Sequence, residues 1–263
     1  MALSGIASFY KSRVGAEYIA GLWSTEEPGD FLAQLLWRVH DKKFDLDDRD
    51  PTGDGEARPS RRRLSYCGPT WSWVAVTGFI DMRQYEEDDK PAAVVCDIDL
   101  KVEGADLMGS VRSATLQIEG PLLKATITWE GSEQVEWDSF WKDIIRLEID
   151  GLEVGDSSSM IGFMVPDAYV EDSWRDLIHS GPGPLDADST YEQPSPGASS
   201  PDGRETMETY LLGILHCDYD LECLWLRPTG RREDEFQRIG IIKLKTRERY
   251  ETFAYASKRV NLV

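Results

Sequence analysis

The chain has few of the residues from which metal sites and disulfide frameworks are built. Among 263 residues there are only 4 cysteines and 3 histidines. The cysteines form no CxxC pair and no zinc-ligand spacing, which indicates free thiols in a reducing compartment. No apolar run approaches the ~20 residues of a membrane-spanning helix, and the first ten residues lack the segments of a signal peptide. These absences predict a cytoplasmic protein with no metal and no membrane span.

Positive charge is also scarce. The 29 lysines and arginines face 48 acidic residues, so the formal net charge is 29 − 48 = −19. A field of this sign repels the phosphates of nucleic acids and anionic membrane surfaces. We therefore expect no nucleic-acid partner. With 41% hydrophobic and 10% aromatic residues, the chain can still form a large core.

The apolar spacing predicts one mainly β domain over residues 1–263. Helical spacing over Leu3–Trp23 and Phe31–Val39 predicts two N-terminal helices. A charged segment rich in proline and glycine, Lys42–Arg63, indicates an acidic, solvated loop. The composition of Ser180–Gly203 predicts a mobile insertion.

Between and after these segments the apolar residues alternate, which is typical of strands. The predicted strands are Thr70–Phe79, Ala93–Val102, Ala114–Ile118, Lys124–Glu130, Ile144–Ile149, Met160–Val165, Met207–Cys217, Glu222–Arg227 and Phe236–Leu244. Short turns join many of them, which favours an antiparallel barrel or sandwich that follows the two N-terminal helices.

The sequence lacks the common signatures of catalysis. It contains no GxSxG, no HExxH, no P-loop and no complete GxGxxG, and its three histidines lie far apart. The acidic stretch Asp48–Asp54 resembles half of a calcium loop, but Pro59 stands where the bidentate glutamate is expected. We therefore predict that the protein uses no cofactor and no metal.

The nine tryptophans are more informative. Trp71 and Trp73 lie two residues apart on a predicted strand and would therefore share one face. Such a pair, together with Trp225, either belongs to the ordinary core or lines an apolar pocket for a hydrophobic small-molecule substrate.

Two polar residues stand among apolar neighbours. His216 is predicted on the face of Leu212 and Ile214, where it is either a satisfied core residue or a hydrogen-bond donor inside a cavity. Arg146 is predicted to project away from its apolar neighbours and is either exposed to solvent or a reserve donor. The hairpin Tyr210–Arg227 would bring His216 close to Trp225.

Several stretches resemble the C-terminal region of fungal heterokaryon-incompatibility (HET) domain proteins. They run, in order, through Leu3–Ala7, Tyr18–Trp23, Leu35–Val39, Pro69–Trp73, Leu116–Leu122 and Arg238–Ile241. After Trp-Ser-Trp the chain has Val74-Ala75 where that family usually has Ala-Ser, and the HET domain itself is absent from the sequence. The resemblance implies the fold of that C-terminal region, with structural roles for its tryptophans and glycines, and implies no catalytic residues.

Two functions are compatible with such a region on its own. Small proteins in fungal biosynthetic clusters act as cyclases, and the chain resembles the norbornene-forming Diels–Alderases of terpenoid pathways. The first hypothesis is therefore a cofactor-free cyclase (a pericyclase) that catalyses an intramolecular Diels–Alder reaction of a hydrophobic, oxidised terpenoid in secondary metabolism. Here His216 and Arg146 would be the catalytic donors, and Trp71, Trp73 and Trp225 would bind substrate. The alternative is a non-enzymatic protein-interaction module.

Overall fold

The computed structural model describes most of the chain outside five longer internal gaps, 40–60, 131–143, 150–160, 168–203 and 246–256. It covers residues 15–39, 61–63, 66–104, 109–130, 144–149, 161–167, 204–217, 220–245 and 257–263, with Phe9, Lys11, Arg13 and Asp106. Most of the predicted acidic loop, residues 42–60, lies outside the described residues. The insertion predicted at 180–203 also lies outside them.

The described part of the chain is mainly β, as predicted. Its strands are β1 Glu17–Ile19, β2 Leu22–Ser24, β3 Arg38–Val39, β4 Arg61–Arg62, β5 Val76–Thr77, β6 Ile80–Asp81, β7 Asp89–Pro91, β8 Val94–Val102, β9 Val111–Glu130, β10 Ile144–Ile149, β11 Ile161–Pro166, β12 Arg204–Cys217, β13 Asp220–Pro228, β14 Glu235–Lys245 and β15 Ser257–Leu262. One α-helix, α1, has both of its ends within the described residues and spans Pro28–Gln34, and a short 3₁₀-helix spans Trp73–Ala75. No described helix has the length and apolar content to cross a membrane.

The prediction of two N-terminal helices is only partly correct. Phe9, Lys11 and Arg13 are helical, but the second half of the predicted first helix is the antiparallel hairpin β1–β2. The hairpin forms because Ala20 and Gly21 both have positive φ, 49° and 95°, which is the geometry of a tight two-residue turn. The second helix is shorter than predicted: it begins at Pro28, whose fixed φ suits the first helical position, and the chain then extends into β3.

Nine strands form one large sheet whose pairings make a closed circuit. The path β10-β9-β15-β14-β13-β12-β7 is joined by β8 on β9 and by β11 on β14. A further pairing between β9 and β12 connects β9, β12, β13, β14 and β15 in a ring. All described pairings are antiparallel except the short contact of β14 with β15, which is parallel.

The strand β9 replaces two predicted strands with one continuous strand of 20 residues. Its first half pairs with β8 and β15, and its second half pairs with β10 and β12. Pro121 lies where the partners change, because it pairs with Ser257 of β15 while the next residue, Leu122, pairs with Leu212 of β12. A proline has no N–H to donate and is tolerated in a sheet where the ladder is interrupted. The sequence alone placed a break there.

The large sheet buries apolar side chains on both faces. Along β13, Leu224 and Leu226 belong to one buried cluster, whereas Cys223 and Trp225 belong to another. Because successive side chains of a strand point to opposite faces, the two clusters lie on opposite sides of the sheet. The first cluster also contains α1, the β1–β2 hairpin and Trp71, so the N-terminal segment covers one face of the sheet.

A buried arginine fastens this N-terminal segment to the sheet. Arg238 of β14 is fully buried and donates to the backbone carbonyls of Leu35 and Trp37. Its guanidinium lies 3.6 Å from the Trp37 ring centroid and pairs with Asp167 at 2.9 Å. Burial lowers the pKa of Arg238 to about 10, an effect that Asp167 opposes, so the side chain stays charged at neutral pH.

Candidate functional site

Trp71 and Trp73 do not lie on a strand. Trp71 lies in a turn and Trp73 begins the 3₁₀-helix, so the predicted strand Thr70–Phe79 is wrong over this part. The cause is local: the Ser72 hydroxyl accepts a hydrogen bond from the Val74 N–H at 3.2 Å, which caps the short helix in place of a strand ladder. Trp71 is fully buried, and its indole N–H has no hydrogen-bond partner among the described residues. Trp73 is half-buried.

Trp225 lies in the other apolar cluster. It is buried on β13, and its indole N–H donates to the Thr209 hydroxyl at 2.7 Å. This cluster is on the face of the sheet opposite to the one that Trp71 and Trp73 contact. The structure thus does not bring Trp225 together with Trp73, and a role for these three residues in substrate binding stays a prediction.

His216 lies on β12 of the predicted hairpin, but on a different face from the one predicted. A bulge between Gly213 and Leu215 shifts the register, and His216 pairs with Leu221, a member of the cluster that contains Trp225. Residues directly opposite each other in an antiparallel pair share a face, so His216 does not share that of Leu212. Trp225 pairs with Leu211. Trp225 lies four positions along β13 from Leu221, the partner of His216, which is roughly 13 Å at the rise of a strand.

Arg146 lies on β10 and pairs with Thr128 of β9, next to a bulge after Ile144. The orientation of its side chain lies outside what the structure describes. The two cavities described below are lined by neither Arg146 nor His216. Their proposed roles as hydrogen-bond donors stay predictions.

The structure instead places an aromatic cleft between the N-terminal hairpin and the segment that follows Trp73. Its volume is about 870 Å³. The aromatic and large apolar residues that line it are Trp23, Trp73, Phe79, Ile80, Met82 and Tyr85. Phe79 is 56% exposed and Met82 is 37% exposed, so the cleft opens to solvent at these two side chains.

One wall of the cleft is held by the tight turn of the hairpin. The indole N–H of Trp73 donates to the Gly21 carbonyl at 2.8 Å, and the Ser72 hydroxyl donates to the Ala20 carbonyl. A Cβ at Gly21 would lie 2.8 Å from Val74 Cγ1, so only glycine fits this approach. The stretches Tyr18–Trp23 and Pro69–Trp73 therefore meet at this wall.

Arg83 also lines the cleft, and two carboxylates hold its side chain. Arg83 donates from Nη2 to the buried Asp89 at 2.6 Å and from Nε to Glu222 at 3.1 Å. Its side chain also lines a second cavity of about 390 Å³, which includes Arg38, Glu222 and Lys243. Burial lowers the pKa of Arg83, but Asp89 and Glu222 outweigh burial and raise it above its ordinary value.

The surroundings of the cleft are acidic. Partial burial raises the pKa of the Tyr85 hydroxyl, and the carboxylates of Glu27, Asp89 and Asp30 raise it further. The Tyr85 hydroxyl donates to the Asp89 carbonyl at 3.0 Å, and its ring packs so closely on α1 that a Cβ at Gly29 would lie 2.4 Å from it. Among the described residues, no group of histidine, cysteine or acidic side chains is arranged to bind a metal ion.

Sequence reasoning included Trp73 in the site but missed the rest of the cleft. Trp23 entered the sequence analysis only as the end of the stretch Tyr18–Trp23, and Arg83 lies outside every motif. The sequence signals beside the cleft were the stretches Tyr18–Trp23 and Pro69–Trp73, with the glycines Gly21 and Gly78. Comparison with protein-family models, with curated protein sequences and with solved structures finds no match for this chain.

Proposed function

We propose that the protein is a cofactor-free cyclase that binds a hydrophobic, oxidised terpenoid in the aromatic cleft. The observation that carries the proposal is the cleft itself, with about 870 Å³ of volume beside Trp23, Trp73, Phe79 and Tyr85. Ligand pockets typically measure about 300–1,000 Å³ and are lined by apolar and aromatic groups with a few polar ones. The cleft meets both criteria, and its volume and apolar lining suit a folded terpenoid.

The proposed reaction is an intramolecular Diels–Alder addition. Three π bonds, two of a diene and one of an alkene in the same molecule, are consumed. Two carbon–carbon σ bonds and one new π bond in the former diene replace them, and no atom or electron leaves. Such a reaction needs its two ends held close together, and binding in one orientation can supply much of the rate acceleration. The rings of Trp23 and Trp73 would exclude the extended conformers of the substrate.

The architecture supports the finer fold prediction. We infer that the ring of pairings through β9, β12, β13, β14 and β15 closes a small barrel, against which the N-terminal segment packs. The stretches that resemble the C-terminal region of HET-domain proteins contact one another around Arg238 and Trp73. Such mutual packing is what the proposed resemblance requires of these stretches.

A matched pair of tryptophans tests the location of the site. Trp73 and Trp225 each donate one hydrogen bond from the indole, so Trp73→Phe and Trp225→Phe should each lose roughly 0.5–1.5 kcal/mol of stability from that bond, in addition to the packing of the lost ring. Only Trp73→Phe should weaken the binding of farnesal, measured by titration calorimetry. Equal affinity for farnesal in both variants would place the binding site elsewhere.

The cyclase activity itself is tested with an undecatrienal whose diene and enal are joined by a three-carbon tether. The protein should accelerate its cyclisation and change the ratio of diastereomers, and Trp73→Phe should reduce both effects. If farnesal binds but cyclisation is not accelerated, the protein is a binding protein and the cyclase proposal fails. If farnesal does not bind, the exposed Phe79 and Met82 favour the second candidate, a protein-interaction module.

A further inference from the structure

Arg83 is held in one position at the side of the cleft. Three of its N–H groups have partners: Asp89, Glu222 and the backbone carbonyl of Gln84. Its side chain is only 19% exposed, whereas Asp89 is wholly buried and itself accepts from the Glu86 N–H at 2.7 Å. An arginine fixed by two carboxylates loses little conformational freedom when it binds a ligand, because its position is already set.

Two donors of this arginine remain for a ligand. A guanidinium carries five N–H groups in a fixed plane, of which three are used by the partners of Arg83. Arg83 lines both the cleft and the smaller cavity, and the proposal requires that its remaining two N–H groups face this space. A ligand oxygen in the cleft can accept from them.

The positive charge of Arg83, in contrast, is already compensated. Asp89 and Glu222 lie within 3.1 Å of it, and Glu86 lies at 3.7 Å. Lys243, which lines the smaller cavity, is itself paired with Asp220 at 2.9 Å. Glu27 and Asp30 add further negative charge beside Tyr85, so the described charges around the cleft sum to a negative value. This charge would repel an anionic ligand, whereas it would not repel a ligand with an uncharged oxygen.

We infer that Arg83 binds an uncharged carbonyl oxygen, so that the cleft selects neutral aldehydes, ketones or esters and rejects carboxylates. The inference rests on the proposed small-molecule site and names the substrate class of that site. It also identifies a hydrogen-bond donor for the dienophile carbonyl, where donation stabilises the charge that develops in the transition state.

Three probes with the same terpenoid chain test the selectivity: farnesal, methyl farnesoate and farnesoate. Their affinities are measured at pH 7.5 by titration calorimetry, below the concentration at which they aggregate. The aldehyde and the ester should bind with similar affinity, and the carboxylate should bind at least tenfold more weakly. Equal binding of all three would overturn the inference and leave the proposed site intact. If none of them binds, the proposed site fails and the inference fails with it.

A substitution that removes a negative charge beside Arg83 tests whether the charges around Arg83 cause the rejection of carboxylates. Glu222→Gln keeps an oxygen acceptor for Arg83 Nε but removes one negative charge. It should raise the affinity for farnesoate at least threefold and leave that for methyl farnesoate unchanged. The control is Glu208→Gln on the neighbouring strand, where the exposed Glu208 pairs with Lys124 far from the cleft. An equal gain in both variants would attribute the effect to net charge alone and overturn the role of Arg83.

Discussion

Two arginines of this protein are each held by a buried carboxylate, and the remainder of their surroundings differs. Arg238 is fully buried, stacks on Trp37, and uses four of its N–H groups on Asp167, Leu35 and Trp37. Arg83 keeps 19% of its side chain exposed, uses three N–H groups and borders two cavities.

The difference separates a structural ion pair from a binding group. Around Arg238 every direction is filled by protein, so its interactions can only stabilise the fold. Around Arg83 the protein fixes the side chain beside two cavities and leaves two of its N–H groups without a hydrogen-bond partner among the described residues. A buried, charged side chain in a protein of unknown role is therefore informative only together with the cavity beside it.

The largest expected effect is a difference in the free energy of unfolding between variants of the two arginines. Arg238→Met leaves Asp167 buried with Arg62 as its remaining partner, and should lower the free energy of unfolding by about 3–5 kcal/mol. Arg83→Met should cost about 1–3 kcal/mol, because Asp89 keeps the Glu86 N–H. Urea denaturation at pH 7.5 measures both. A larger loss for Arg83→Met would reverse the comparison.

The next effect concerns the wall of the cleft. Gly21→Ala places an L residue at a φ of +95° and a Cβ against Val74, and should cost about 2–4 kcal/mol. Gly15 also has a positive φ, +72°, but no atom lies within 4 Å of a Cβ there, so Gly15→Ala should cost only about 1 kcal/mol. Thermal unfolding of the two variants compares them, and equal losses would show that the close packing at Gly21 contributes nothing.

The smallest expected effect is a pH dependence of stability that comes from Lys243, which shares the partner Glu222 with Arg83. Burial lowers the pKa of Lys243, but its pairs with Asp220 and Glu222 outweigh burial and raise it above the ordinary value. The folded state thus holds this proton more tightly than the unfolded chain. The contribution of Lys243 to stability is complete below its unfolded pKa and is lost as the pH rises through the folded one.

Lys243→Met should accordingly lower stability by about 0.5–1 kcal/mol at pH 8, and the difference from the parent protein should shrink towards pH 11. Lys245→Met, a change of an exposed lysine on the same strand, serves as the control. Denaturant titrations at both pH values provide the measurement. A difference that grows with pH would contradict the assignment of these ion pairs.

Strand alternation and composition were sufficient to predict much of the architecture. The strands β8, β10, β11, β12, β13 and β14 lie where the alternation of apolar residues indicates them. Errors arose where a local interaction overrode the pattern. The apolar spacing before Trp23 fits a helix, yet the turn at Ala20–Gly21 docks on Ser72 and makes a hairpin. The strand β15 was missed because only Val260 and Leu262 of its residues are buried.

The candidate site depended on contacts that no spacing along the chain reveals. The residues alone predicted a mainly β chain, the scarcity of metal ligands and the importance of the Trp-Ser-Trp stretch. The cleft joins Trp23, Trp73 and Arg83 from separate parts of the chain, and a single bulge in β12 moves His216 away from its predicted face. Sequence periodicity reports which side of an element is buried, whereas the packing of elements decides which residues face a common space.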